Sequence, residues 1–372
     1  MSLGRPRLRD WGVGVGKGRP GSRNTITDVS GVLVGHTTLI SGEGPLHPGE
    51  GPVRTGVTVV LPHGDDLFQE KVRAAVHTIN GFGKAHGFEQ VRELGLVEAP
   101  IALTNTLNVP LVSDALIQRA IHANPQLGIC IGTINVVVGE TSDSYLNDLQ
   151  GRHVRAEHVW RAIETASSGA VDEGAVGAGT GTTCFGWKGG IGTASRVTPE
   201  EAGGFTVGAL VQTNFGRPER LTVAGVPVGR FLRPPTDVSP ESWEDGSVMI
   251  ILATDAPLTA RQLHRLCVRS AAGLARTGTV FDHGSGDFVI AFTTAYRVDH
   301  APGELLTEGT TLADEQRAMG GLFPAVVESV EEAVLNSLWR AETVVGRDGH
   351  VRHALPLEDV ATLVDARGLR DG

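Results

Sequence analysis

The chain has 372 residues, 40% of them apolar and 20% charged, enough to bury a sizeable core as one large domain or two ordinary ones. Its formal charge of −10, with no basic stripe, argues against a binder of nucleic acid or anionic membranes. Cys130, Cys184 and Cys267 are odd in number and far apart, so they read as small buried hydrophobes of a reducing compartment, not as a disulfide framework.

Residues 1–31 are basic and Gly-rich, with no apolar core of a secretory signal. They predict an ordered or half-ordered arm on a cytoplasmic protein. No apolar run is long enough to span a bilayer. Val32–His36 and Val57–Leu61 are β-branched runs that predict strands, with the loop GEGPLHPGEGP between them. A short helix follows over Phe88–Leu96 and a strand over Ile101–Thr104. Ser113–Ala123 predicts a helix capped by Ser113, with Leu116, Ile117, Ala120 and Ile121 on one face. Gly128–Gly139 is a continuous apolar run of the kind found in a strand buried on both faces. His153–Thr165 reads as an amphipathic helix, Gly174–Gly192 as a Gly-rich stretch, and Phe205–Thr213 as a strand. The loop PPTDVSPESWEDG is acidic and lacks apolar periodicity. It stops at Ser247, where VMIILATD begins a strongly β-forming run. A helix capped by Thr259 then carries Leu263, Leu266, Cys267, Ala271 and Leu274 on one face. Phe288–Thr294 is a strand. Ala325–Thr343, broken upstream by Pro324, and Leu357–Ala366 are helices. Strands and helices interleave, which predicts a layered α/β architecture and leaves parallel and antiparallel sheets both open.

The Gly246–Ser247 junction carries the chemistry. A serine hydroxyl needs a base to take its proton. At a free N-terminus the serine supplies its own, since an α-amine has a pKa of about 8. The requirement is a cleavable peptide bond between a loop and a rigid strand, and EDG|SVMIILATD meets it. Locally, Gly-Ser is also a common turn dipeptide. Other chemistries lack their motifs. There is no H-E-x-x-H or Cys-x-x-Cys for a metal. GAGTGT has no G-K-[ST] ending for a phosphate loop. His283-Gly-Ser-Gly leads into a strand, not the strand-to-helix turn of a nucleophile elbow. No metal or cofactor is expected.

GSVMIILATDAPL, the acidic loop before it and the later HGSGDFVIAFTTA resemble the self-processing L-aminopeptidase/D-amidase-esterase (DmpA-like) and β-peptidyl aminopeptidase family. So, in the same order, do ITDVSGVLVGHTT, RTGVTVVLP, GETSDSYLNDLQGRHV, GAVGAGTGTTCFGWKGGIGTASR and VGALVQTNFG. The resemblance spans nearly the whole chain. It implies a four-layer αββα sandwich like that of N-terminal-nucleophile hydrolases but differently connected. It also implies one catalytic domain, 1–372, that cuts itself into 1–246 and 247–372. Members release N-terminal amino acids, some of them D- or β-residues, from small amides, esters and short peptides. A homo-oligomer of processed heterodimers is expected, with no nucleic-acid or membrane partner. Two alternatives remain beside this: an acyltransferase on the related ornithine acetyltransferase-like scaffold, and a hydrolase of ω-amino-acid oligomers, whose Thr nucleophile speaks against it here.

Residue by residue, the resemblance makes Ser247 the nucleophile. Ser285 and Asp287, at i and i+2 and so on one side of a strand, take the places of a serine and an acid that relay protons. The family acid is often Glu; Asp287 is one methylene shorter. His283 is near, but an α-amine removes the need for it. Asn214 takes the oxyanion position. Glu140 is matched to recognition of the substrate amine, Tyr145 to a hydrogen bond near the acyl carbonyl, and Lys188 to a supporting role. Asp143 and Asp148 lie close enough to Glu140 to compete for its assignment.

Overall fold

The computed structural model describes residues 4–235 and 246–366. Most of the expected acidic loop, 236–245, lies outside the described residues. The strands among the described residues are β1 (Leu33–Ser41), β2 (Val53–Leu61), β3 (Glu70–Gly81), β4 (Ala85–His86), β5 (Leu96–Val97), β6 (Ile101–Asn105), β7 (Val137–Thr141), β8 (Thr183–Cys184), β9 (Trp187–Lys188), β10 (Ile191–Val197), β11 (Thr206–Asn214), β12 (Ser247–Thr254), β13 (Gly286–Thr293), β14 (Val298–Asp299), β15 (Val344–Val345) and β16 (Val351–Arg352). The helices are α1 (Phe88–Leu94), α2 (Val109–Ala123), α3 (Ala156–Glu164), α4 (Ala260–Arg276), α5 (Glu315–Arg340) and α6 (Leu357–Asp365).

Two mixed sheets form, one in the order β1-β2-β6-β7-β4 and one in the order β10-β11-β12-β13-β3-β14, with β5 also paired to β3. The pairs β6–β7 and β12–β13 are parallel, and the other neighbours are antiparallel. Three apolar cores give four layers. Val57, Val59 and Val138 of the first sheet pack against Val112 and Leu116 of α2 and Val159 of α3. Val60, Ile101 and Val137 of the first sheet meet Met249, Ile251 and Ile290 of the second. Val248, Ile250 and Val289 of the second sheet face Leu263 of α4 and Val326 and Val330 of α5. This is the expected αββα sandwich, with each sheet buried on both faces. It explains why β12 reads as a continuous apolar run.

The arm is ordered from residue 4. Leu8, Val13, Val15 and Ile26 are buried, and Arg9 pairs with Glu332 at 2.8 Å. The strand β3 has no counterpart among the sequence expectations. Its alternation, Val72, Ala74, Val76, rests on a small side chain and gives a weak period-2 signal.

Four local expectations are corrected. The helix α2 starts at Val109, with Pro110 in its first turn, so Ser113 lies inside it and its Oγ donates back to Val109 O at 2.8 Å. Residues 128–131 form a turn and 132–136 are irregular, with φ of 75° at Gly128 and 86° at Gly132; only Val137–Thr141 is a strand there. The helix α5 runs through Pro324 from its Asp314 cap. One hydrogen bond is lost there, and burial of 325–339 outweighs it. Cys184 and Cys267 are buried, but Cys130 is exposed; all three are free. Among the described residues no helix is long and apolar enough to cross a membrane.

Candidate active site

Ser247 is the first residue of β12, flanked by β11 and β13. It stands opposite Asn214 in the antiparallel ladder and beside Gly286 in the parallel one. Side chains alternate along a strand, so Ser247 shares the inter-sheet face with Met249 and Ile251. Its Oγ faces the end of β7, where the Ser142 N–H points at it across 3.4 Å.

Gly246 is fixed by its neighbours. Its carbonyl accepts the Gly286 N–H at 3.0 Å. A Cβ on residue 246 would lie 2.6 Å from Phe215 Cα and 2.9 Å from Asn214 O. The strand β11 therefore leaves room only for glycine immediately before Ser247.

An open cleft of about 410 Å³ is lined by Gly246 and Ser247, Glu140 and Ser142 from the end of β7, Lys84 and Thr106. Phe82, 67% exposed, stands at its rim. Glu140 is 4% exposed and its Oε1 accepts the Lys84 main-chain N–H at 3.0 Å. Burial raises the Glu140 pKa, and the Lys84 charge opposes that rise. The Lys84 ammonium lies 3.9 Å from Glu140 Oε1 and donates to Thr106 Oγ1 at 2.7 Å.

Asn214 is half-buried, and its Oδ1 accepts the Thr183 N–H at 3.0 Å. That bond sets which end of the amide is the donor. Directly opposed residues in an antiparallel pair share a face, so the Asn214 side chain stands beside that of Ser247.

Ser285 and Asp287 form a buried pair, Ser285 Oγ donating to Asp287 Oδ1 at 2.6 Å. The shorter acid therefore reaches its serine. Asp287 is in register with Val248, whose side chain packs toward the helices. The pair thus sits beside the 246–247 peptide but on the helix side of the sheet, outside the cleft lining. Asp287 Oδ2 is buried without a hydrogen-bond partner among the described residues, and burial pushes the Asp287 pKa up to about 6.

Tyr145 also stands outside the cleft lining. It stacks on His350 at 4.4 Å, with the Arg352 guanidinium 3.4 Å from its ring centre. Arg352 Nε donates to Thr183 Oγ1 at 3.1 Å, which joins Tyr145 to the residue that orients Asn214. Lys188 is fully buried away from the cleft. Its ammonium donates to the carbonyls of Gly179, Thr182 and Gly189 at 2.9, 2.8 and 2.7 Å, and burial lowers its pKa to about 7. Asp143 and Asp148 are loop anchors. Asp143 accepts from Thr55 at 2.5 Å and Asn147 at 3.0 Å, and burial raises its pKa to about 7. Asp148 accepts from Gly49 at 2.8 Å and pairs with His153 at 2.9 Å. His283 is exposed and touches Phe82, with ring centres 6.4 Å apart.

The residues that sequence reasoning missed are Lys84, Thr106, Ser142 and Phe82. The signal for two of them lay in GFGKAHG, a Gly-rich turn presenting one aromatic and one cation. His63, Asp65 and Glu70 cluster as metal-ligating types. However, both His63 nitrogens are engaged by backbone, and Arg297 pairs with both carboxylates, so the cluster is an ion-pair network.

The sequence pattern of peptidase family S58 matches residues 24–352. The chain is 42% identical over 375 residues to the β-peptidyl aminopeptidase BapA of Sphingosinicella microcystinivorans, across 96% of this chain and 92% of that protein. The solved PH0078 protein of Pyrococcus horikoshii OT3 superposes with a TM-score of 0.91 at 48% identity, covering 98% of this chain and 99% of its own. The L-aminopeptidase D-Ala-esterase/amidase of Ochrobactrum anthropi, described as a prototype serine aminopeptidase and a variant of the Ntn hydrolase fold, gives 0.88 at 38% identity over 99% and 100% of the two chains.

Proposed function

Because the chain belongs to peptidase family S58 and is an aminopeptidase and amidase of that family, we propose that it cuts itself between Gly246 and Ser247 and then works through the freed Ser247. The cut begins when Ser247 Oγ attacks the Gly246 carbonyl. The peptide C–N bond gives way to an ester, and water splits the ester to leave a carboxylate on Gly246 and a free amine on Ser247. The Gly286 N–H on the Gly246 oxygen supports this step, because it polarises the carbonyl under attack. An intact peptide nitrogen is no base; only the cut makes it one. Ser285 and Asp287, beside that nitrogen, are the pair we assign to the new α-amine. Asp287's unpartnered Oδ2 is the acceptor available to it.

One observation carries the aminopeptidase reading: the Ser247 hydroxyl and the Glu140 carboxylate open onto one cleft. Glu140 binds the substrate ammonium, the acyl carbon meets Ser247 Oγ, and Asn214 donates to the developing oxyanion. Main-chain atoms of Gly81, Gly83 and Gly284 line much of the cleft. They leave room for the extra methylene of a β-residue, the class on which the BapA relative is named as acting. The test compares p-nitroanilides of L-, D- and β-amino acids, with the amine free or acetylated. A free amine is expected to raise kcat/KM by about 10- to 100-fold, and Glu140→Gln to remove most of that difference. Equal rates for free and acetylated substrates would defeat this reading.

The pH dependence of stability checks the burial of Asp287. Its pKa of about 6 in the fold lies above the ordinary 3.8. The stability of the protonated state is complete below about pH 4 and is lost as pH rises through about 6. Asp287→Asn keeps an acceptor for Ser285 and cannot ionise. In a Ser247→Ala background, which keeps the junction intact, it should match its parent near pH 4. At pH 7 it should exceed its parent by on the order of 2 kcal/mol in urea titrations. Parallel pH profiles would show that no charge is being buried there.

We also assign a homo-oligomer of processed heterodimers in the cytoplasm. The exposed Leu305–Leu306 pair supports the first, and the three free cysteines support the second.

A further inference from the structure

Resting on the aminopeptidase reading above, we propose that the site prefers acyl residues carrying a free carboxylate on the carbon that bears the amine: β-linked aspartyl amides and peptides.

Lys84 is the only cation lining the cleft among the described residues. Its side chain is 54% exposed, and its ammonium stands 3.9 Å from the Glu140 carboxylate, too far for a hydrogen bond. Thr106 takes one of its three N–H donors, which leaves two for a ligand. Glu140 does not depend on that charge for its placement, because the Lys84 main-chain N–H holds Oε1.

An anion and a cation set side by side, paired at 3.9 Å with no hydrogen bond directly between them, match a substrate head group with an ammonium and a carboxylate on one carbon. A simple aminoacyl substrate brings only the ammonium, which Lys84 repels. A head group that also brings a carboxylate turns that repulsion into a second contact. In an ordinary N-terminal residue, however, that carboxylate is itself the scissile amide. Both charges can be held only when the bond to be cut lies on the side-chain carbonyl. An aspartyl β-amide fits, with one methylene between the charged carbon and the carbonyl.

In the reaction Ser247 Oγ bonds to the β-carbonyl carbon, the amide C–N bond breaks, and the hydroxyl proton passes through the α-amine to the leaving amine. Water then splits the ester, restoring the hydroxyl and releasing aspartate. No oxidant, metal or co-substrate enters this balance.

The experiment measures kcat/KM for the β-p-nitroanilide of aspartic acid, the p-nitroanilide of 3-aminobutyric acid and the γ-p-nitroanilide of glutamic acid. The second has a methyl in place of the carboxylate. Wild type, Lys84→Met and Lys84→Arg are compared. Wild type should favour the β-aspartyl over the aminobutyryl substrate by about tenfold or more. Lys84→Met should abolish that ratio, and Lys84→Arg should keep it. A wild-type enzyme that cleaves the aminobutyryl anilide as fast or faster overturns the proposal and leaves the aminopeptidase reading standing. So does a ratio that Lys84→Met leaves in place, or a preference for the γ-glutamyl substrate. Failure to cleave any free-amine anilide, in protein cut at Gly246–Ser247, defeats the aminopeptidase reading and this proposal with it.

Discussion

Ser247→Ala is expected to give a single 39.1 kDa chain on a denaturing gel, where the wild type should give two pieces ending and beginning at Gly246 and Ser247. On the proposed assignment one hydroxyl does both jobs, so both should be lost together. With the nucleophile gone, only binding and oxyanion stabilisation remain, and kcat should fall by about 10⁴-fold or more. Intact-mass measurement locates the cut to the residue. Wild-type protein that stays whole and still turns over substrate would overturn the nucleophile assignment. The substitution should barely affect the fold. Ser247 Oγ has one long contact, the Ser142 N–H at 3.4 Å, and a methyl fits where the hydroxyl stood.

Asn214→Ala should act differently. If the amide donates to the oxyanion as proposed, it meets charge that exists only in the transition state, so its loss should lower kcat by about 10²- to 10³-fold while KM moves little. Initial rates per titratable Ser247 make the measurement independent of how much chain has been cut. A rise in KM at unchanged kcat would mean that Asn214 binds ground-state substrate. A stability loss of about 1 kcal/mol should accompany the change, because the Thr183 N–H loses its acceptor.

Much of this site is legible in the chain because it sits where local signals are strongest. The run 248–253 that follows Ser247 is apolar at every position on both faces, as a strand between two layers requires. The acidic, Pro-rich loop marks where that strand must start. Asn214 and Ser285–Asp287 end or begin similar runs. The remainder is invisible for a physical reason. Lys84 meets Glu140 across 56 residues of sequence, and Ser142 meets Ser247 across 105. The first contact is made where β4 pairs with β7 and the second where the two sheets pack, and no spacing in the chain encodes either. The strand β3 escapes because alanine contributes little amphipathic contrast. Pro324 misleads because a rule about isolated helices gives way to a buried one. Lys188 suggests chemistry by its type and neighbourhood, but three carbonyls at 2.7–2.9 Å occupy all its donors.

The central position of β12 has a consequence for the molecule after the cut. β12 lies between β11 and β13, and β13 lies between β12 and β3. The shorter piece would therefore supply β12 and β13, held between β11 and β3 of the longer one. The longer piece alone holds the core between the first sheet and α2 and α3, but the cores on both faces of the second sheet are built from the two pieces together, and the pieces cannot part without tearing ladder hydrogen bonds on two sides. Cutting changes the molecularity of folding. A chain that assembles itself at any dilution becomes a pair whose renaturation is second order, and slow when dilute. The active state would then persist through the height of its dissociation barrier, with no equally easy way back.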